Sequence, residues 1–177
     1  MSLEAARRQL GFTLVELAVT LSVAAILVTV AVPSMSQLMA GQRRVGEVND
    51  LVLALNYARS EAVKQNAAAG VSVSANGSWP GGWSVCCSAT GTQLQSLPAI
   101  NSGSSITATA AGTNITAVSF GANGALFGTQ ATALFTFCDS RGASQATAVE
   151  VNSLGQIATG ATAGYRVDGV TRLTCGG

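Results

Sequence analysis

Histidine is absent from these 177 residues. The commonest general base and the commonest neutral metal ligand are therefore missing. No Ser–His or Cys–His pair can form. The acidic side chains that follow the first apolar stretch (Glu47, Asp50, Glu61, Asp139, Glu150 and Asp168) are scattered along the chain. A carboxylate dyad is formally open, but the residue set argues against an enzyme and against any cofactor. Charge is also scarce. Charged residues make up 10%, and nine basic residues nearly balance eight acidic ones, so no global field attracts nucleic acid or anionic lipid. Aromatic residues are only 5%, which implies a thin core. The four cysteines, Cys86, Cys87, Cys138 and Cys175, lack the Cys-x-x-Cys spacing of zinc sites. An even set of this kind suits disulfides in an exported domain. The loop Asp139-Ser140-Arg141-Gly142 offers one carboxylate beside a cation, which is a turn and a poor calcium site. No metal is expected.

What the sequence does contain is a long apolar run from Phe12 to Val32. As a helix it spans about 30 Å, the thickness of a bilayer's hydrocarbon core. Arg7 and Arg8 precede it against a single Glu4, which places the N-terminus on the cytoplasmic side. Three ordinary explanations compete: a cleaved secretory signal with a small-x-small site at Thr29-Val30-Ala31, a plain anchor, and a buried core helix. Glu16 decides against them. A carboxylate inside such a run costs about 2–3 kcal/mol unless it finds a partner, and neither a signal nor a simple anchor has any use for it.

The residues Gly11-Phe12-Thr13-Leu14-Val15-Glu16-Leu17, after a short basic leader, resemble the processing motif of type IV prepilins and type II secretion pseudopilins. The resemblance implies that prepilin peptidase cuts after Gly11 and that Phe12 becomes the N-methylated first residue. It further implies that Glu16 pairs with the amino end of a neighbouring subunit during assembly. Pro33 also resembles the proline that pilin-like helices carry after the apolar half. In a helix it removes one backbone bond, and the helix is expected to continue past it.

Beyond Gly41, Val48, Leu51, Val52, Leu55, Ala58, Ala62 and Val63 recur at helical spacing. Arg43, Arg44, Glu47, Asp50, Arg59, Glu61 and Lys64 mostly take the other, solvated faces, and Gly70 is the expected terminator. The stretch Ala58-Arg59-Ser60-Glu61-Ala62 resembles the GspH/FimT subgroup of minor pilins and pseudopilins. So does the later order Gly-Trp-x-Val, Phe-x-x-Asn-Gly, Phe-Cys-Asp-Ser-Arg-Gly and Leu-Gly-Gln-Ile. Strands are predicted at Val71–Ala75, Trp83–Cys86, Ile106–Ala110, Ile115–Phe120, Ala133–Cys138, Ala146–Val151 and Gln156–Ala158. Asn76-Gly77 reads as a hairpin turn, and residues 88–105 and 159–164 as loops.

The fold class is therefore α+β. A long N-terminal helix with a membrane-spanning first half packs on an antiparallel sheet or small β-sandwich head. The expected division is 1–11 leader, 12–32 membrane and filament-core helix, 33–69 amphipathic half of that helix, and 70–177 periplasmic head. Four cysteines allow three pairings. Adjacent Cys86 and Cys87 point to opposite sides of a strand, so two bridges are favoured, each joining one of them to Cys138 or Cys175.

The resemblance implies a minor pilin that assembles or primes the type IV pilus. Its partners would be other pilins, its processing enzyme prepilin peptidase, and its location the inner membrane and then a filament. Two alternatives share the family: a GspH-type pseudopilin of a type II secretion system, and a FimT-like DNA-binding uptake pilin. For the latter, Gly169-Val170-Thr171-Arg172 departs from the Gly-Arg-x-Arg pattern at its first arginine. That leaves Arg166 and Arg172, with Asp168 between them, as weak candidates for DNA contact. Mass spectrometry of the native protein is expected to read methylated Phe12 as its first residue. A start at Val32, or an intact Met1, would overturn the motif.

Overall fold

In the computed structural model, residues 11–74, 77–87, 92–100, 103–128 and 132–176 are described. Residues 1–10, which hold most of the expected leader, Asn76 and the side chains of Pro33 and Cys87 lie outside the described set. The chain divides into two compact units, 1–39 and 40–177.

Helix α1 runs Leu14–Gln65 without a break, through Pro33. Its first turn begins at Thr13, whose hydroxyl accepts from the Glu16 N–H at 3.2 Å. Thr-x-x-Glu is the sequence of a capping box, and an acidic residue in the first turn also complements the helix dipole. In the first unit the apolar side chains are open on every side: Phe12 is 83% and Val15 70% exposed. A helix with greasy residues all round needs lipid or other helices as its surroundings.

Within the second unit the periodic stripe is buried. Val48, Leu51, Ala54, Leu55, Ala58 and Ala62 face the core, whereas Val63 faces solvent. The helix stops at Gln65 because Asn66 adopts the left-handed conformation (φ 50°), a role asparagine fills when glycine is absent. Gly70, the expected terminator, lies inside a strand instead.

The sheets are antiparallel. The four-stranded one has the order β3-β2-β1-β6, with β1 Ala69–Val73, β2 Trp83–Cys87, β3 Gln93–Leu97 and β6 Ala117–Phe120. The five-stranded one has the order β5-β4-β7-β8-β9, with β4 Ser104–Ala110, β5 Thr113–Asn114, β7 Thr132–Asp139, β8 Thr147–Asn152 and β9 Ile157–Thr159. Strand β3 and the start of β4 replace part of the loop expected over 88–105. Gln93-Leu94-Gln95-Ser96-Leu97 carries no β-branched or aromatic residue, so the pattern gave no strand signal. The sequence expected one strand over Ile115–Phe120, but β6 begins only at Ala117.

One core joins α1 to both sheets, drawing Val71, Val85, Val118 and Phe120 from the first and Ile106, Phe135, Phe137 and Val149 from the second. The few aromatics are concentrated there. Trp79 stands edge-on to Phe135 (centroids 4.9 Å apart, 88° between planes), and its indole N–H donates to the Ile115 carbonyl at 2.7 Å. The opposite face of β7 and β8 supports a smaller cluster of Cys138, Ala146, Ala148 and Leu173. Here the single disulfide among the described residues joins Cys138 to Cys175, with Cα atoms 6.0 Å apart. This corrects the favoured pairing: neither Cys138 nor Cys175 bonds to Cys86 or Cys87, because β7 and the C-terminal segment share a face that β2 does not reach.

Gly70 is required by close approach. A Cβ there would meet the Val118 carbonyl oxygen at 2.5 Å across the β1–β6 pair. Gly70→Ala is expected to destabilise the head by about 1–3 kcal/mol. Gly46→Ala, on open helix surface, should stabilise it by up to about 1 kcal/mol. Urea unfolding of the chain in detergent reads both.

Candidate assembly site and its supporting contacts

Glu16 is the only charged residue between Arg8 and Arg43, and its surroundings in the first unit are Leu14, Val15 and Leu17, all exposed. Gly11 and Phe12 precede the helix, and Glu16 sits in its first turn. Cleavage after Gly11 would therefore leave the new amino end two residues before the helix and four before the carboxylate. Thr13 is the residue that the sequence reading passed over. Its signal was available in the capping pattern.

In the second unit, three charged residues assigned to the solvated helix face are buried: Arg44, Glu47 and Glu61. Arg44 bonds Asp139 at 3.2 Å and also donates to the Gln145 carbonyl. Arg141 grips the same carboxylate, its Nε 3.0 Å from Oδ1, and its guanidinium rests against Gly41. The Asp139–Gly142 turn expected from sequence is present, closed by the Gly142 N–H on the Asp139 carbonyl at 2.9 Å. Its carboxylate is occupied by two guanidinium groups, so the turn clamps the start of the buried helix segment. Arg141 hydrogen bonds hold the Asp139 carboxyl below the usual range against the opposing effect of burial, and the charges of Arg141 and Arg44 add to this. Burial pushes Glu47 the other way. A hydrogen bond from Ser104 offsets it in part, Asp139 and Asp50 reinforce it and Arg43 opposes it.

Arg59 performs a similar task at the other end of the helix segment. Its Nε donates to the Gly124 carbonyl at 2.8 Å and one terminal nitrogen reaches the Leu154 carbonyl at 3.5 Å. Residue 155 must be glycine for two reasons: φ is +74°, and a Cβ would overlap the Gly124 carbonyl. Arg59, Gly124 and Leu154-Gly155, far apart in the chain, therefore form one junction.

At the C-terminal end, Tyr165 and Arg172 pair across a short hairpin. Arg166 bonds Glu150 at 2.8 Å, and the Arg172 guanidinium lies 5.6 Å from the Tyr165 ring centroid. The two arginines are thus brought to one segment, but one of them is already matched by a carboxylate.

The family model described as type II transport protein GspH matches residues 47–155. The chain belongs to the GspH family. The match runs from Glu47 to Gly155, so it takes in the Arg59 junction and the Asp139 turn. The prokaryotic N-terminal methylation motif matches residues 6–32, which contain Gly11, Phe12 and Glu16. Two crystal structures of the type IV minor pilin FimU from Pseudomonas aeruginosa (strain PAO1) share the fold. One, in space group P21, is 22% identical with a TM-score of 0.53, covering 71% of this chain and 91% of that one. The other, in space group P65, is 23% identical with a TM-score of 0.51, covering 64% and 90%. Comparison with curated proteins gives no match. As a GspH-family member, the chain is a structural subunit of the minor pilin and pseudopilin kind. Membership implies processing by prepilin peptidase and assembly with other pilins, and the apolar helix fits anchoring in the inner membrane.

The two buried carboxyls should titrate with opposite sign. Asp139 has a depressed native pKa, so its contribution is present above the unfolded value near 3.9 and is lost as pH falls below it. Glu47 has a raised one, so its contribution is present below about 4.3 and is lost as pH rises through its native value. At neutral pH Asp139→Asn is expected to cost on the order of 3 kcal/mol, whereas Glu47→Gln should be neutral or stabilising. Thermal unfolding from about pH 2 to pH 8 distinguishes them.

Proposed function

We propose that this chain is a minor pilin that primes or caps a type IV pilus, acting as a structural subunit and carrying out no catalysis. The observation that carries the reading is the solitary carboxylate of Glu16 in an exposed apolar helix, four positions after the proposed mature amino end at Phe12. Prepilin peptidase cleavage after Gly11 and methylation of Phe12 would leave a cationic amine in an apolar setting. Glu16 of an adjacent subunit neutralises that amine, and the pairing lowers the cost of holding either charge away from water. The basic leader orients the helix with the head in the periplasm. Pro33, without an N–H to donate, leaves a weak point at which the apolar half can flex when it leaves lipid for the filament. The FimU structures of a type IV minor pilin support the pilus assignment at the level of fold.

The GspH-type pseudopilin of a type II secretion system is the second reading, favoured by the description of the family model. Both use the same N-terminal chemistry, and the genes flanking this one separate them: pilus components or secretion components. Capture of DNA through Arg166 and Arg172 is the weakest reading, because Glu150 offsets the first arginine and few phosphates could be neutralised.

Glu16→Ala is expected to leave membrane insertion intact and to abolish recovery of the subunit in sheared filaments. Normal incorporation of the alanine variant would refute the amine–carboxylate pairing.

A further inference from the structure

On the face of β4 and β7 opposite α1, the C-terminal segment closes one side of a groove of about 410 Å³. Its lining includes Thr107, Thr109 and Thr136 from the strands and Thr171, Arg172 and Thr174 from the segment. The volume lies within the range of about 300–1,000 Å³ common for ligand sites, and the threonines share the lining with Leu134, Leu173, Arg166 and Asn114. Residues 65–138 contain no Asp, Glu, Lys or Arg, and the chain has no His. This stretch supplies β1 to β6 and all of β7 except Asp139, so the β4 and β7 residues lining the groove are uncharged, and the one charge beside them on the sheet is Glu150 of β8, opposite Leu134.

Three charges on that segment matter, and two are already matched. Arg166 is paired with Glu150 at 2.8 Å. Asp168 accepts from the Val170 and Thr171 N–H groups at 2.9 Å each and from the Thr171 hydroxyl at 2.6 Å. Arg172 lies over Tyr165 and has no ion-pair partner among the described residues. The wall that carries it is held in place before any ligand arrives. Cys175 is tied to Cys138, Leu173 is buried, and the Leu173 N–H donates to the Gly164 carbonyl at 2.8 Å. A pre-ordered site avoids much of the entropy cost of binding.

We propose that this groove binds an acidic carbohydrate, with the sugar hydroxyls exchanging hydrogen bonds with the threonine row and the carboxylate meeting Arg172. A guanidinium presents paired donors that match a carboxylate, and the half-buried Thr107 and Thr109 carry hydroxyls that can both donate and accept, as a sugar hydroxyl does. Nucleic acid fits less well. It requires several unmatched cations and open aromatic faces, and Arg172 already lies over the Tyr165 ring. The site stands apart from the filament chemistry, so it is independent of whether the subunit serves a pilus or a secretion system.

The test is a titration of the full chain in detergent micelles with sialyllactose, followed by NMR of threonine methyl and arginine Nε–H signals. Lactose serves as the uncharged control and a short DNA duplex as the competing ligand. Sialyllactose is expected to shift Thr107, Thr109 and Arg172, with lactose at least about tenfold weaker. Arg172→Gln and Thr109→Val should each weaken binding by about tenfold, a loss of about 1.4 kcal/mol, while the dispersed spectrum of the head is retained. No shift with sialyllactose would overturn the proposal, as would undiminished binding in Arg172→Gln. It would equally be overturned if the duplex alone occupied the groove with steep salt dependence.

Discussion

The burial of Val48, Leu51, Leu55, Ala58 and Ala62 against both sheets is the contact on which the head depends. A chain with so few aromatics cannot fill a wide core, and this one brings a helix and two sheets to a common line instead. Ala58 and Ala62 keep the helix close, and Trp79, Trp83, Phe120, Phe135 and Phe137 fill the remaining volume. Each sheet has one apolar face to cover, and a single helix covers part of both.

Charge follows from that arrangement. A helix segment seated on a largely uncharged head has few partners for its own ions, so the acidic turn at Asp139 and the carbonyls of Gly124 and Leu154 receive Arg44 and Arg59. These contacts lie toward opposite ends of the buried stripe. They fix the helix along its axis, where hydrophobic contacts alone permit sliding. The Cys138–Cys175 bridge begins one residue before Asp139, so the C-terminal segment and the helix clamp are built on the same end of β7.

Much of the head's outline was legible because strands and turns have local signals. Asp139-Ser140-Arg141-Gly142 announced its turn, and the strand expected over Ala133–Cys138 is β7 within a residue at each end. The misses have physical reasons. Strand β3 is formed by glutamines, leucines and a serine whose extended state comes from pairing with β2, not from propensity. Gly70 resembled a helix stop but is a site of close strand approach, while Asn66 performs the stop. Arg44 and Glu47 read as solvated because helical spacing distinguishes faces only by polarity, and a face can be polar and buried when another element supplies its partners.

By itself, the sequence determined the apolar run and its lone Glu16, the Gly11-Phe12 pair after two arginines, the amphipathic stripe and the α+β class. Each of these depends on residues within a few helical turns of one another, where spacing along the chain is spacing in space. Only the tertiary structure decided which cysteines join, where Arg44 and Arg59 find their acceptors, and that the C-terminal segment closes a hydroxyl-lined groove over β4 and β7. Those outcomes depend on which faces two sheets present to each other and to one helix, and no local pattern encodes that choice.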